Sequence, residues 1–211
     1  MYLRVTAFKS DPAKIDGGVA YLRDKIIPAL KQAPGFVGAT CIVDREKGEG
    51  AASTIWETLE AMNNAEQLGQ QSRTQSAEAT GLEIMDVDRF EITILEMGRP
   101  DAVIPRYTRL ITAYGDPSKA DAAVQGLRGT LPKLKAQPGF VGFASGVNRA
   151  TGRGFTTSTW DTPEHREASY AVIAQERQQI LDSGAMYGMD MRNFETVIVD
   201  VKLPAAAQQG R

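Results

Sequence analysis

The apolar and polar positions change period along the chain. Tyr2 to Lys9 alternates, with Leu3, Val5 and Ala7 set against Arg4, Thr6 and Phe8, the period of a half-buried strand. From Ser10 the period lengthens. Ser10-Asp11-Pro12 supplies a capping side chain and a proline at the first helical position. Ile15, Val19, Leu22, Ile26 and Leu30 then recur at three- and four-residue steps, one apolar stripe of a helix. The stripe stops before Pro34-Gly35. Two strands follow, 35–45 and 51–58, around the glycine-containing turn 46–50. Thr58 is the expected N-cap of a second helix of about 20 residues, with Glu60 in its first turn. Residues 89–97 read as a long last strand.

The same order then recurs. Val124, Leu127, Leu131 and Leu134 form a second stripe, 139–149 and 155–162 a second strand pair, Thr162 and Pro163 a second helix start, and 193–201 a second last strand. The recurrence extends to residue identity. Of the 31 positions from 28 to 58, 14 are identical to those 104 residues later, including Pro34–Gly38 against Pro138–Gly142. Segments 10–16 and 115–121 match at a shift of 105, so one residue is inserted or lost between Arg23 and Pro28. The chain reads as a duplication: repeat 1 over 1–100, a linker over 101–104, repeat 2 over 105–204, and a polar, alanine-rich tail over 205–211 whose composition predicts disorder. The period is too long for a solenoid unit.

Each repeat has the order βαββαβ, which predicts an α+β, ferredoxin-like fold: a four-stranded antiparallel sheet with two helices on one face. The open face would carry residues too apolar to leave in water. The expected solution is for the two sheets to pack face to face within one chain, as an intrachain pseudo-dimeric α+β barrel.

The stretches "PALKQAPGFVG" and "PKLKAQPGFVG", the glycine-rich hairpins, and the tryptophan closing the third strand in "STIWET" and "TSTWDT" resemble the dimeric α+β barrel superfamily. Within it they resemble the antibiotic-biosynthesis-monooxygenase-like (ABM) domains, one per half of the chain. The superfamily includes cofactor-independent monooxygenases of aromatic polyketide-like substrates, haem-degrading enzymes and members without a known role. The haem-degrading pattern has an Asn in the first strand and a His two to three helical turns after the tryptophan. Here the first strands hold no Asn, and Ala65, Glu66, Ser169 and Tyr170 stand where that His is expected. Haem degradation is therefore disfavoured, and the resemblance implies no cofactor. In the relatives the tryptophan borders a cavity between helix and sheet. That makes Trp56 and Trp160 the leading ligand-binding candidates, the alternative being that both are simply core.

Composition narrows the classes further. The 211 residues are 42% hydrophobic and 24% charged, with a net charge of -2 and Lys and Arg evenly spread, so neither nucleic acid nor a membrane is an expected partner. No apolar stretch reaches the roughly 18 residues of a membrane span, and no signal peptide is evident. The single cysteine cannot form an internal disulfide, which fits a cytoplasmic protein. With one His and one Cys, no metal site is expected.

The remaining candidates carry two readings each. Cys41 reads as a small core residue, and strict alternation sets it opposite Phe36. His165 reads as a polar residue on an exposed first turn, or as a general base near a pocket. Glu91 and Glu195, each following a Phe, are either polar anchors inside the barrel or strand residues paired with a nearby Arg or Lys. Gln71, Arg73, Gln75 and their counterparts Gln175, Arg177 and Gln179 read as a solvated helix surface. By parity Thr54 and Ser158 share the tryptophans' face, and Arg4, Thr6, Tyr107 and Arg109 reach the same space from the first strands.

No catalytic residue can be assigned. The expected function is binding of a small aromatic or apolar ligand, with cofactor-independent monooxygenase chemistry as its enzymatic form. The alternative is a non-catalytic binding or structural barrel. A cavity on the order of several hundred cubic ångströms beside a tryptophan is expected of the first. Further homo-oligomerisation is left open.

Overall fold

A computed structural model of the protein describes residues 1–97, 99, 103–183 and 185–202. The tail 205–211 and linker positions 101–102 lie outside the described residues. The protein is α+β. Its strands hydrogen-bond in the order β1-β3-β2-β8-β5-β7-β6-β4, which closes an eight-stranded antiparallel barrel. The elements are β1 (Tyr2–Lys9), α1 (Ile15–Tyr21), α2 (Ile27–Leu30), β2 (Phe36–Asp44), β3 (Glu49–Trp56), α3 (Leu59–Asn64), α4 (Glu66–Thr80) and β4 (Glu83–Met97). After them come β5 (Arg106–Gly115), α5 (Ala120–Lys135), β6 (Phe140–Asn148), β7 (Arg153–Trp160), α6 (Pro163–Val172), α7 (Ala174–Asp182) and β8 (Met186–Val201).

Two compact units emerge, Met1–Arg89 with 196–211, and Phe90–Glu195. Their boundaries differ from the sequence repeats 1–100 and 105–204. The cause is strand length: β4 and β8 have 15 and 16 residues, against 8 to 10 in the others. The second half of β4 pairs with β6 in the second unit, with Glu91 opposite Val147 and Leu95 opposite Ala144. The end of β8 completes the first unit. There Ile198 joins the buried cluster of Ile15, Ile27, Ala39, Cys41 and Val43, and Lys202 N donates to Val37 O at 3.0 Å.

The extra residue between Arg23 and Pro28 has a structural form. The first helical stretch passes through a five-residue π segment, Leu22–Ile26, between α1 and α2, whereas α5 runs unbroken over 16 residues. A widened π turn absorbs one added residue while keeping the apolar stripe on the same face. Pro28, which has no N–H to give to a carbonyl in the preceding turn, follows at once.

Strict alternation fails in β2. A register shift between Phe36 and Gly38 leaves Phe36 opposite Trp56, Ala39 opposite Thr54 and Cys41 opposite Ala52. Phe36 and Cys41 thus share one face, contrary to the expectation from parity, because the bulge takes up one residue. The expected caps are present. Thr58 Oγ1 accepts from Ala61 N at 3.0 Å and Thr162 Oγ1 from His165 N at 3.2 Å. The second helix of each repeat is broken, at Ala65 and at Ile173. The first break sets Glu66 in the opening turn of α4, where a carboxylate is favoured by the exposed N–H groups.

Candidate functional site

In the first unit β1 and β3 pair Arg4 with Thr54 and Thr6 with Ala52, and β2 brings Cys41 opposite Ala52. These residues form one sheet face. Two helical walls stand over it. The α1–π–α2 stretch contributes Ile15, Val19, Leu22 and Ile26, and α4 contributes Gly69, Ser72, Arg73, Ser76 and Thr80. Between sheet and helices is a cavity of about 90 Å³, partly open to solvent. One wall is apolar. The other carries small hydroxylated residues at four-residue steps, each bonded back to its own helix: Ser72 Oγ to Leu68 O, Ser76 Oγ to Ser72 O and Thr80 Oγ1 to Ser76 O, at 2.7 to 2.8 Å.

Arg4 and Arg73 close one end. Arg4 is 3% exposed. Its Nη2 donates to Met62 O at 2.6 Å and lies 2.7 Å from Glu66 Oε2, while its buried Nε has no hydrogen-bond partner among the described residues. Glu66 also receives Arg73 at 2.8 Å and Arg89 at 2.7 Å. Burial pushes the Arg4 guanidinium down from its ordinary value, with the Glu66 charge pulling it back up; it stays protonated. Burial raises the Glu66 carboxyl, but bonds from Arg89 and Arg73 and the Arg4 charge outweigh that and hold it below the usual carboxylate range. Gly69 admits this cluster: a Cβ there would meet Arg4 Nη1 at 2.6 Å and Arg73 Nη1 at 3.3 Å.

The second unit holds a cavity of about 100 Å³ in the corresponding place, with walls that include Val124, Leu127, Phe143, Thr156, Ile173 and Arg177. Its arginines are held differently. Ile173 and Tyr170 occupy the positions of Gly69 and Glu66 at the 104-residue spacing. Arg109 is drawn to Ser169 Oγ at 3.0 Å and Glu167 Oε2 at 3.2 Å and is absent from the cavity wall. Arg109 and Arg177 lie 5.2 and 4.1 Å from the Tyr170 ring. Desolvation lowers the Arg109 guanidinium, opposed by Glu167.

Of the candidates named from sequence, Thr6 and Thr54 line the first cavity. Arg109 faces Ser158, and Tyr107 faces Trp160, across β5 and β7. Trp56 and Trp160 are 0% exposed and border neither cavity. Each packs edge-on against a phenylalanine, Phe36 at 5.4 Å and Phe140 at 5.7 Å between ring centres. Trp56 Nε1 donates to Thr54 Oγ1 at 3.0 Å, whereas Trp160 Nε1 is buried without a hydrogen-bond partner among the described residues. The cavities are thus smaller than expected and displaced from the tryptophans.

His165 sits in the first turn of α6 with Nδ1 at 2.7 Å from Asp161 Oδ1, away from the cavity walls. Asp161 is also bonded by Arg99 at 2.8 Å, and Arg99 and His165 together hold its carboxyl below the usual range. Glu91 pairs with Arg149 at 2.6 Å, and Glu195 is half-buried beside Phe194. Sequence reasoning placed Arg73 on the solvated surface with Gln71 and Gln75. Those glutamines are exposed, but the Arg73 side chain is only 17% exposed. The signal that marks the wall is the spacing of small residues, Gly69, Ser72, Ser76 and Thr80, along one helix face.

No protein-family model matches the chain. It is similar to Rv2557, an uncharacterised protein of Mycobacterium tuberculosis, with 26% identity over 208 residues covering 97% of this chain and 91% of the relative. Among solved structures it is similar to an anthrone oxidase-like protein, with a TM-score of 0.68 and 17% identity over 97% of this chain and 95% of the other. It is also similar to a candidate monooxygenase of Fusobacterium nucleatum, with a TM-score of 0.68 and 10% identity over 96% and 98%. At such identities the likeness is one of fold, a closed eight-stranded antiparallel α+β barrel.

Proposed function

We propose that the protein binds small aromatic or apolar molecules in the helix-covered cavity of each unit, and that its chemistry is that of a cofactor-independent monooxygenase. The observation that carries this reading is the recurrence of a cavity between helices and sheet at the same place in both units. Each has a largely apolar lining and a few polar groups, the usual make-up of a small-molecule site. Size limits the ligand. Volumes of about 90 and 100 Å³ fall below the roughly 150 Å³ of an engineered cavity that takes up benzene, so a single ring or a short chain fits, with part of it in the open mouth.

In the proposed chemistry the walls orient a phenolic substrate and shed its water. The substrate loses a proton, and the resulting carbanion donates electrons to dioxygen. A ring C–H para to the phenolic oxygen becomes a carbonyl, so that phenol and dioxygen give a quinone and water, one oxygen atom entering the product and the other leaving as water. A non-catalytic binding role is the second reading, favoured by the polar lining of the first cavity: arginines and hydroxyls, none a ready proton acceptor near neutral pH. Oxygen-electrode assays with one-ring phenols and hydroquinones separate the two. Protein-dependent dioxygen uptake that saturates with substrate is expected of the enzyme. Saturable binding without uptake leaves the second reading, and the absence of both refutes the cavity assignment.

A further inference from the structure

The two cavities differ in charge. We infer that the cavity of the first unit selects a small organic anion, a one-ring carboxylate, and that the cavity of the second unit does not discriminate by charge. This rests on the reading of both cavities as ligand sites.

Three observations carry it. Arg4, Arg73 and Arg89 share the single carboxylate of Glu66, so three positive charges meet one negative charge and the cluster keeps a formal excess of two. Two of these arginines stand in the cavity wall. Arg4 is buried, its charge is met only by the shared Glu66, and its Nε makes no hydrogen bond among the described residues. Finally, Gly69 lets both guanidiniums lie close against α4 beside the cavity, since a Cβ there would stand 2.6 Å from Arg4 Nη1 and 3.3 Å from Arg73 Nη1. Planar guanidiniums at the end of an apolar slot match a carboxylate in geometry as well as charge.

The second unit lacks this arrangement for definite reasons. Ile173 stands where Gly69 does and packs against the buried cluster of Ile94, Leu134, Phe140, Phe143 and Trp160. Arg109, whose Nε likewise makes no hydrogen bond among the described residues, has its Nη atoms met by Ser169 and Glu167 and stands outside the cavity wall. Arg177 remains in the wall but is stacked on Tyr170.

The test is a titration of the isotopically labelled full chain with benzoate and with benzamide, its neutral isostere, followed by amide NMR shifts. Ala52, Ser72 and Ser76 report the first cavity, and Ser145 and Thr156 the second. Benzoate is expected to bind the first cavity roughly tenfold or more tighter than benzamide, the range that a charge-assisted hydrogen bond supplies, with no such preference in the second. Arg73→Gln is expected to abolish the preference of the first cavity for benzoate over benzamide, and Arg73→Lys, which keeps the charge but not the fork, to retain part of it. Equal binding of the two probes to the first cavity overturns the inference and leaves the ligand-site reading intact. So does an undiminished preference in Arg73→Gln, or the same preference in both cavities. No shift with either probe overturns both.

Discussion

Replacing Gly69 by alanine tests whether the arginine cluster is fixed as described. In a helix interior the exchange alone stabilises by about 1 kcal/mol. Here the new methyl group would sit 2.6 Å from Arg4 Nη1 and 3.3 Å from Arg73 Nη1, too close for either to stay. Arg4 is not free to swing aside. It is almost fully buried and holds Met62 O and Glu66. Moving it surrenders at least one charged hydrogen bond, about 1.5–3 kcal/mol. The difference is a net loss of about 0.5–2 kcal/mol, or a fall in Tm of a few degrees for a chain of this size. Gly17 in α1 and Gly129 in α5 are internal controls. Nothing lies within 4 Å of a Cβ at either position, so alanine there is expected to stabilise by about 0.5–1 kcal/mol. Urea unfolding of the three variants side by side decides the matter. If Gly69→Ala is stabilised to the same degree as the controls, the guanidiniums do not hold the positions that the proposed anion site requires.

Trp56→Ala, which empties a fully buried site edge-on to Phe36, is expected to cost about 3–5 kcal/mol of stability in urea; a cost below about 1 kcal/mol would place the indole outside the core. Burial pushes the Cys41 thiol up to about 12, so iodoacetamide at pH 8 is expected to label it only after unfolding, and equal rates with and without denaturant contradict that. Glu66 has a depressed carboxyl pKa, so its stabilising contribution is present above the ordinary value of about 4.3 and is lost as pH falls through the lower folded value. The gap between wild type and Glu66→Gln in urea midpoint is therefore expected to be widest near neutral pH and to close in acid; a gap that does not change with pH refutes the pairing. Deleting Asp24 from the π segment is expected to restore an unbroken α-helix with stability within about 1 kcal/mol of wild type, measured by thermal unfolding, and collapse of the fold contradicts the one-residue insertion.

Much of the architecture was legible because it rests on local signals written twice. The apolar stripes, the Pro-Gly stops and the Thr caps are set by neighbours within a few residues, and the second writing removes ambiguity from the first. In Gly35 and Gly139 the backbone is left-handed, φ 76° at both, as a glycine after a helix end allows. The site was less legible. Arg73 and Gln75 are two residues apart and equally polar, and only the packing of α4 against the sheet sets one inward and the other out. The equivalence of Arg4 and Arg109 was available at the 105-residue shift, but their different partners depend on Glu66, Tyr170 and Glu167, which meet them only in the folded chain. The bulge after Phe36 could not be read from alternation, because one absorbed residue reverses parity without altering composition. The exchange of strand halves between units depends on the reach of β4 and β8, which hydrophobic pattern alone understates.

The central claim is that the helix-covered cavities hold a small molecule and that the first selects an anion. Native mass spectrometry of the full chain purified from its own host tests it most directly, alongside a Leu22→Trp variant that fills the first cavity. The account predicts a wild-type protein carrying a one-ring organic acid, or taking up benzoate when the acid has been lost, and a variant that takes up no more than the second cavity can hold. Wild-type protein that stays at its apo mass both as purified and with excess benzoate contradicts it.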